Sequence, residues 1–184
     1  MNRIFLLLLI PFFCLSQTGI YSTDGVLTVK IPTSLDILLG YPLADDLDSK
    51  AISQYNKGTE IMYNLNNLKK YERKKRLFQA IDHFIAAVNY DKKFIQAYDN
   101  LGKAYRMIGN YKLAIESYKI SIKIFPNGVS AHQNLAITYN KLKEWDNSIM
   151  EFKTVIKLSP NSPEGYYGIA SVYQKKLKLN LALS

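Results

Sequence analysis

The chain repeats itself every 34 residues. From Ile95 onward, Tyr98, Leu101, Gly102, Tyr105, Ala114, Tyr118 and Pro126 return as His132, Leu135, Ala136, Tyr139, Ser148, Phe152 and Pro160. A third pass opens with Tyr166, Ile169, Ala170 and Tyr173 and reaches Ala182. Tyr98, Leu101, Gly102 and Tyr105 stand at i, i+3, i+4 and i+7, which places them on one stripe of an α-helix. Leu113, Ala114, Tyr118, Ser121 and Ile122 make a second stripe of the same period. Between the stripes, Gly109-Asn110 supplies a residue tolerant of left-handed backbone geometry and then a turn former, so two antiparallel helices meet through a tight link. Gly102 and Ala114 leave room for the two backbones to approach. Pro126 has no amide hydrogen and biases Phe125 away from helix, which ends the second helix there, and the next hairpin starts after Asn127-Gly128. One such hairpin cannot bury its own apolar face, so successive hairpins stack.

This order of residues resembles the tetratricopeptide repeat family, in which a Trp, Leu, Gly, Tyr series on one helix is followed by an Ala, Phe, Pro series on the next. The resemblance covers roughly residues 51–184. It implies an all-α fold, a right-handed α-solenoid of helix-turn-helix repeats at about 51–94, 95–128, 129–162 and 163–184. The last is incomplete, because the stretch after Leu177 is shorter than a second helix. Arrays of this kind close with a polar cap, so the expectation is either a truncated chain or an edge covered by a partner or a second copy.

The first repeat departs from the frame. Ala80, Phe84 and Ala87 precede Ala114, Tyr118 and Ser121 by 34 positions, so Phe78 to Tyr90 reads as a second helix. Counting back at the standard spacing gives Asn67-Leu68, a poor match to Leu-Gly; Tyr55, Gly58, Ile61 and Met62 suit a first helix better, with about ten extra residues between the two helices. Those residues contain a basic patch, Lys69, Lys70, Arg73, Lys74, Lys75 and Arg76, interrupted by Tyr71 and Glu72. It reads as a solvated hairpin extension or as a contact for anionic headgroups or an acidic partner.

Ahead of the repeats, residues 1–16 have the form of a secretory signal peptide: Arg3, an apolar run from Ile4 to Leu15, and small residues Cys14 and Ser16 before a start at Gln17. Export to the periplasm or cell envelope is the expectation, with an uncleaved anchor or lipidated Cys14 as alternatives. Cleavage removes the single cysteine, so no disulfide is called for. Residues 17–49 form an irregular acidic linker in which Val26–Ile31 suits a short strand and Gly25, Pro32, Gly40 and Pro42 mark turns. Lys30 against Asp24, Asp36, Asp45, Asp46 and Asp48 makes the linker −4, while the chain totals +9. The basic solenoid therefore favours acidic partners. One expectation is that the linker covers the groove until such a partner arrives. A signal peptide argues against nucleic acid.

In tetratricopeptide solenoids the first helices line a concave face that receives an extended peptide. Carrying that geometry over by position, the resemblance places Asp99, Asn100, Lys103, Arg106, Gln133, Asn134, Asn140, Lys141, Tyr167 and Gln174 in a partner-binding groove, with Lys175 nearby. Amides pair with a peptide backbone and cations with carboxylates. The subfamily that clamps the C-terminal carboxylate of chaperones is a poor match, since Asp99, Lys103, Glu164 and Gly168 depart from its pattern and only Asn134 fits. For chemistry there is little: His132 occupies the place of a packed aromatic, His83 lies beside Asp82, Glu116, Glu144 and Glu151 read as surface acids, and Trp145 fills the place of Tyr111. No metal-ligand spacing or phosphate loop is present. The chain thus reads as a non-enzymatic interaction scaffold of the cell envelope, without cofactor, that binds a protein or an acidic peptide. The alternatives are a peripheral adaptor to an anionic membrane or polyanion through residues 69–76, an accessory domain of an enzyme complex, and self-association through the last repeat.

Overall fold

In two successive 34-residue units the backbone turns on itself and closes in the same way. A computed structural model describes residues 47–183; the signal segment, Cys14, the Gln17 start and the Val26–Ile31 strand lie outside the described residues. Among the described residues seven helices follow in order: α1 (Ser49–Tyr63), α2 (Lys70–Tyr90), α3 (Ile95–Met107), α4 (Tyr111–Ile124), α5 (Val129–Lys141), α6 (Trp145–Leu158) and α7 (Pro163–Leu183). Between α3 and α4, the Asn110 amide donates to the Tyr105 carbonyl at 2.9 Å and the Gly109 amide to Arg106 at 3.1 Å, with Gly109 at φ +85°. That pair of bonds satisfies the last carbonyls of α3. Asn110 then caps α4 by accepting from the Leu113 amide. One unit later the same bonds run from Glu144 to Tyr139 and from Lys143 to Asn140, but the residue in left-handed geometry is Lys143, at φ 63°.

The third unit does not turn. Leu177 falls 34 places after Lys143, yet α7 continues through it to Leu183. Lys175, Lys176, Leu177 and Lys178 are good helix formers with no glycine or asparagine among them, so nothing local ends the helix. Ala182, which the repeat frame assigns to a second helix, is a continuation of the first. Tyr166, Tyr173 and Leu177 are consequently exposed along one side of α7.

The first unit also differs from the sequence expectation. Its second helix starts at Lys70 rather than Phe78, so the extra residues are mostly helix and lengthen α2 to 21 residues against 14 in α4 and α6. Lys, Arg, Glu and Leu predominate from Lys70 to Leu77, and all propagate a helix well. Asp48, the last acid of the linker, caps α1 by accepting from the Lys50 and Ala51 amides at 2.8 and 3.0 Å.

Close approach holds the hairpins together. A Cβ built on Gly102 would stand 2.6 Å from the Tyr118 ring, and one on Gly58 would stand 2.6 Å from Phe84. Sixteen positions separate Gly102 from Tyr118 and twenty-six separate Gly58 from Phe84, so the same contact is kept across the ten-residue insertion. Between units, Gly168 stands beneath the Phe152 ring in the same manner. Ala80, Ala114 and Ser148, the small residues at the matching place of each second helix, are fully buried. Around the first contact, Tyr55 packs on Phe84 and Phe94 with ring centroids 5.9 and 4.9 Å away.

Two expectations follow for unfolding experiments. Ala114→Trp overpacks the α3–α4 contact and lowers stability by about 1–3 kcal/mol. Lys143→Gly relieves left-handed strain and raises it by about 0.5–1 kcal/mol, whereas Lys74→Ala on the exposed surface leaves it unchanged within experimental error.

Candidate partner-binding groove

The odd-numbered helices pack on one another in sequence, α1 on α3, α3 on α5 and α5 on α7, whereas α2, α4 and α6 make no contact among themselves. The stack is therefore tighter on the odd side, and that side is concave. Every junction along it carries one side-chain hydrogen bond. The Asn100 amide donates to Tyr55 Oη at 3.0 Å, Arg106 Nη2 to Asn134 Oδ1 at 3.3 Å, and Lys175 Nζ to Asn140 Oδ1 at 3.3 Å. Four of the ten groove residues expected from the sequence, Asn100, Arg106, Asn134 and Asn140, are thus engaged in joining neighbouring units. Tyr55, which stands three residues before Gly58 as Asp99 stands three before Gly102, supplies the acceptor at the first junction. Helical spacing alone cannot reveal such pairs, because each links residues in different units.

The other groove positions are more open. Lys103 and Lys141 are exposed, as are Gln174 and Tyr167, the last by 74%; Gln133 is half-buried. Among the described residues Lys103 and Lys141 pair with no carboxylate, and the one ion pair there joins His132 to Glu151. Arg106 Nη2 is bound to a neutral amide rather than an acid, so its charge is also uncompensated by an ion pair.

Asp99 lies lower. Part of the residue reaches solvent, but its Oδ1 is sealed from it and closes no hydrogen bond. Burial raises its pKa to about 6, against the opposing effects of Ser121 and of the His132 charge. Gln96 Oε1, Arg106 Nε, Tyr118 Oη and Ser121 Oγ are likewise buried without a partner, so a polar layer underlies the groove between α3 and α4. Tyr118 is pushed up to about 12, chiefly by burial.

Beside this layer, His132 is buried with Nδ1 2.6 Å from Glu151 Oε2 and Nε2 3.0 Å from the Pro126 carbonyl. With acceptors at both nitrogens, the ring fits the imidazolium form. Burial opposes that charge, but the bonds to Glu151 and Pro126, together with the Glu151 and Asp99 charges, outweigh it and raise the pKa. Glu151 is therefore a structural partner across α5 and α6 and not the surface acid its position suggests. His83 Nδ1 lies 2.8 Å from Gln54 Oε1, and Trp145 is half-buried against the Ala136–Phe152–Val172 cluster. Outside the concave face, a cleft of about 490 Å³ opens between α1 and the added turns of α2, lined by Lys57, Glu60, Ile61, Asn64, Leu68, Arg76 and His83.

Comparison with known proteins places this architecture. A model described as Tetratricopeptide repeat matches residues 95–127, and one described as TPR repeat matches residues 138–176. Among curated proteins no sequence match is found. Of solved structures, the Sgt2 TPR domain from Aspergillus fumigatus is similar at 16% identity and a TM-score of 0.63, covering 75% of this chain and 86% of that one. The first TPR of Spaghetti (RPAP3), bound to the HSP90 peptide SRMEEVD, is similar at 18% identity and 0.59, covering 71% and 97%. The second TPR domain of human RPAP3, in complex with the HSP70 peptide SGPTIEEVD, is similar at 17% identity and 0.59, covering 67% and 95%. The chain carries tetratricopeptide repeats over these matched residues, and its helical array shares the fold of those TPR domains. Such repeats are interaction modules.

Asp99 has a consequence for pH. The folded state keeps its proton up to about pH 6, whereas the free side chain loses it near 3.8, so the fold binds the extra proton and stability falls as pH rises from about 4 to about 6. The raised His132 pKa acts in the same direction at higher pH, its contribution being lost as the pH rises through the folded value. Asp99→Asn removes the acidic-limb slope and raises stability at pH 8 by about 1–3 kcal/mol, read from denaturant unfolding across the pH range.

Proposed function

We propose that the protein is a non-enzymatic scaffold whose concave face receives an extended acidic segment of another protein. The observation that carries this reading is the imbalance of charge along the groove: Lys103, Arg106 and Lys141 have no carboxylate partner among the described residues, while Asp99, the acid among the groove positions, lies beneath the surface with its Oδ1 sealed from solvent. The half-buried Gln133 and exposed Gln174 offer amides to a peptide backbone. The peptides bound in the two RPAP3 structures, SRMEEVD and SGPTIEEVD, are acidic and support the class of ligand. Their mode of clamping is not carried over, because Asp99, Glu164 and Gly168 occupy positions where that pattern has other residues.

The setting we propose is the cell envelope, on the strength of residues 1–16; N-terminal sequencing of the protein recovered from an envelope fraction finds Gln17 first if the segment is cleaved, and a blocked or intact start if Cys14 is lipidated or the segment is retained. Pairing of two copies through α7 belongs to the same reading, on the exposure of Tyr166, Tyr173 and Leu177, and sedimentation against concentration tests it.

An acidic peptide selected from a library or from envelope extract binds the wild type with an affinity that falls as salt rises. Lys103→Ala with Lys141→Ala weakens it roughly tenfold, whereas Lys74→Ala with Lys75→Ala leaves it unchanged. Equal affinity in the groove variant rejects the concave face as the site.

A further inference from the structure

The insertion in the first repeat creates a surface that no other unit has. Ala80, Ala114 and Ser148 recur at 34-residue spacing, and so do Leu77, Tyr111 and Trp145. Since α4 and α6 begin at Tyr111 and Trp145 while α2 begins at Lys70, α2 starts seven residues early. At 1.5 Å per residue the early start is an overhang of about 10 Å beyond the edge of the stack. Along it Tyr71, Lys74, Lys75 and Phe78 fall at i, i+3, i+4 and i+7, one face of the helix. All four are exposed, Tyr71 by 80% and Phe78 by 47%.

The direction of that face is set by the rest of the helix. Leu77, Ala80, Ile81 and Phe84 repeat the same spacing on the opposite side and are buried against the core. Arg73 Nη2 reaches back to the Leu68 and Asn66 carbonyls at 3.3 and 3.5 Å, tying the first added turn to the linker. Arg76 lines the cleft beside α1. Lys70, Lys74 and Lys75 have no carboxylate partner among the described residues, and Glu72 is the single acid from Lys69 to Arg76.

We propose that this overhang docks on the surface of an anionic phospholipid bilayer, the lysines meeting the headgroups and the two aromatic rings seated at headgroup level. The chemistry favours a bilayer because Lys and Tyr side chains both hold an apolar stem with a polar end, the form that suits a membrane–water boundary. Shape favours it as well: the face is a convex ridge at one edge, which meets a flat surface, whereas single-stranded nucleic acid is tracked along a basic groove. No described helix is long and apolar enough to cross a membrane, so the contact is peripheral. Asp82, a turn beyond Phe78, limits it to the overhang.

The test is co-sedimentation of the full 184-residue chain with phosphatidylcholine vesicles, with and without about 30% phosphatidylserine. Binding is expected to require phosphatidylserine, to fall with salt, and to weaken on the order of twentyfold in Lys74→Ala/Lys75→Ala, each lysine near an anionic surface contributing about fivefold. Tyr71→Ser/Phe78→Ser is expected to weaken it several-fold at unchanged melting temperature, and Lys103→Ala/Lys141→Ala to leave it intact, which separates this result from the fate of the groove. Binding that is equal on neutral vesicles, the behaviour of the apolar run at residues 4–15, overturns the proposal. So does phosphatidylserine-dependent binding that survives both overhang variants, or tighter binding to single-stranded RNA at the same salt.

Discussion

The contact between a glycine backbone and an aromatic ring on the neighbouring helix is the constraint on which the rest of the molecule depends. Gly102 against Tyr118 and Gly58 against Phe84 leave no room for a Cβ, so the two helices of the first two hairpins meet at a distance set by the ring itself. The insertion between α1 and α2 illustrates the strength of that constraint. Ten added residues lengthen a helix and a linker, but the glycine and the ring still meet. Extra residues are placed where they are free, at the end of the hairpin, because the core offers no space for them.

Curvature follows from this packing. Helices α1, α3, α5 and α7 touch in succession and the even-numbered ones do not, so polar side chains on the inner helices come within reach of the next unit. Asn100, Arg106 and Asn140 use that proximity to join units, through Tyr55, Asn134 and Lys175. The same proximity leaves Lys103 and Lys141 projecting from the concave face with no acid among the described residues to meet them. Structural cohesion and an open site thus come from one set of residue types on one face, and burial decides which side chain does which.

Beneath the groove lies a layer in which the usual roles of charged residues are altered. Asp99 is raised by burial, while His132 is held protonated between Glu151 and the Pro126 carbonyl. A histidine in the place of a packed aromatic is accommodated because both ring nitrogens find acceptors. Buried polar atoms of Gln96, Tyr118 and Ser121 accompany it. This layer couples the stability of the second and third units to pH.

Much of the architecture was legible from spacing. The 34-residue period located the turns at Gly109 and Pro126, the stripes of α3 to α6, and the choice of Tyr55 and Gly58 for the first helix, because helical periodicity and turn chemistry are local properties of a chain. Local rules also misjudged two places: Phe78 was expected to open a helix that begins at Lys70, and Ala182 was assigned to a second helix that never separates from α7. In both, the run of helix-forming residues prevailed over the repeat frame. The candidate groove was legible only as a set of positions. That Asn100 and Arg106 join units, that Asp99 lies under the surface, and that Glu151 clasps His132 depended on contacts between residues 19 to 45 positions apart. The sequence by itself determined the repeating hairpin, since period, glycine and proline act within a few residues. Only the tertiary structure decided which polar side chains are used up in holding the stack and which remain exposed, since that depends on distances between units that no single unit encodes.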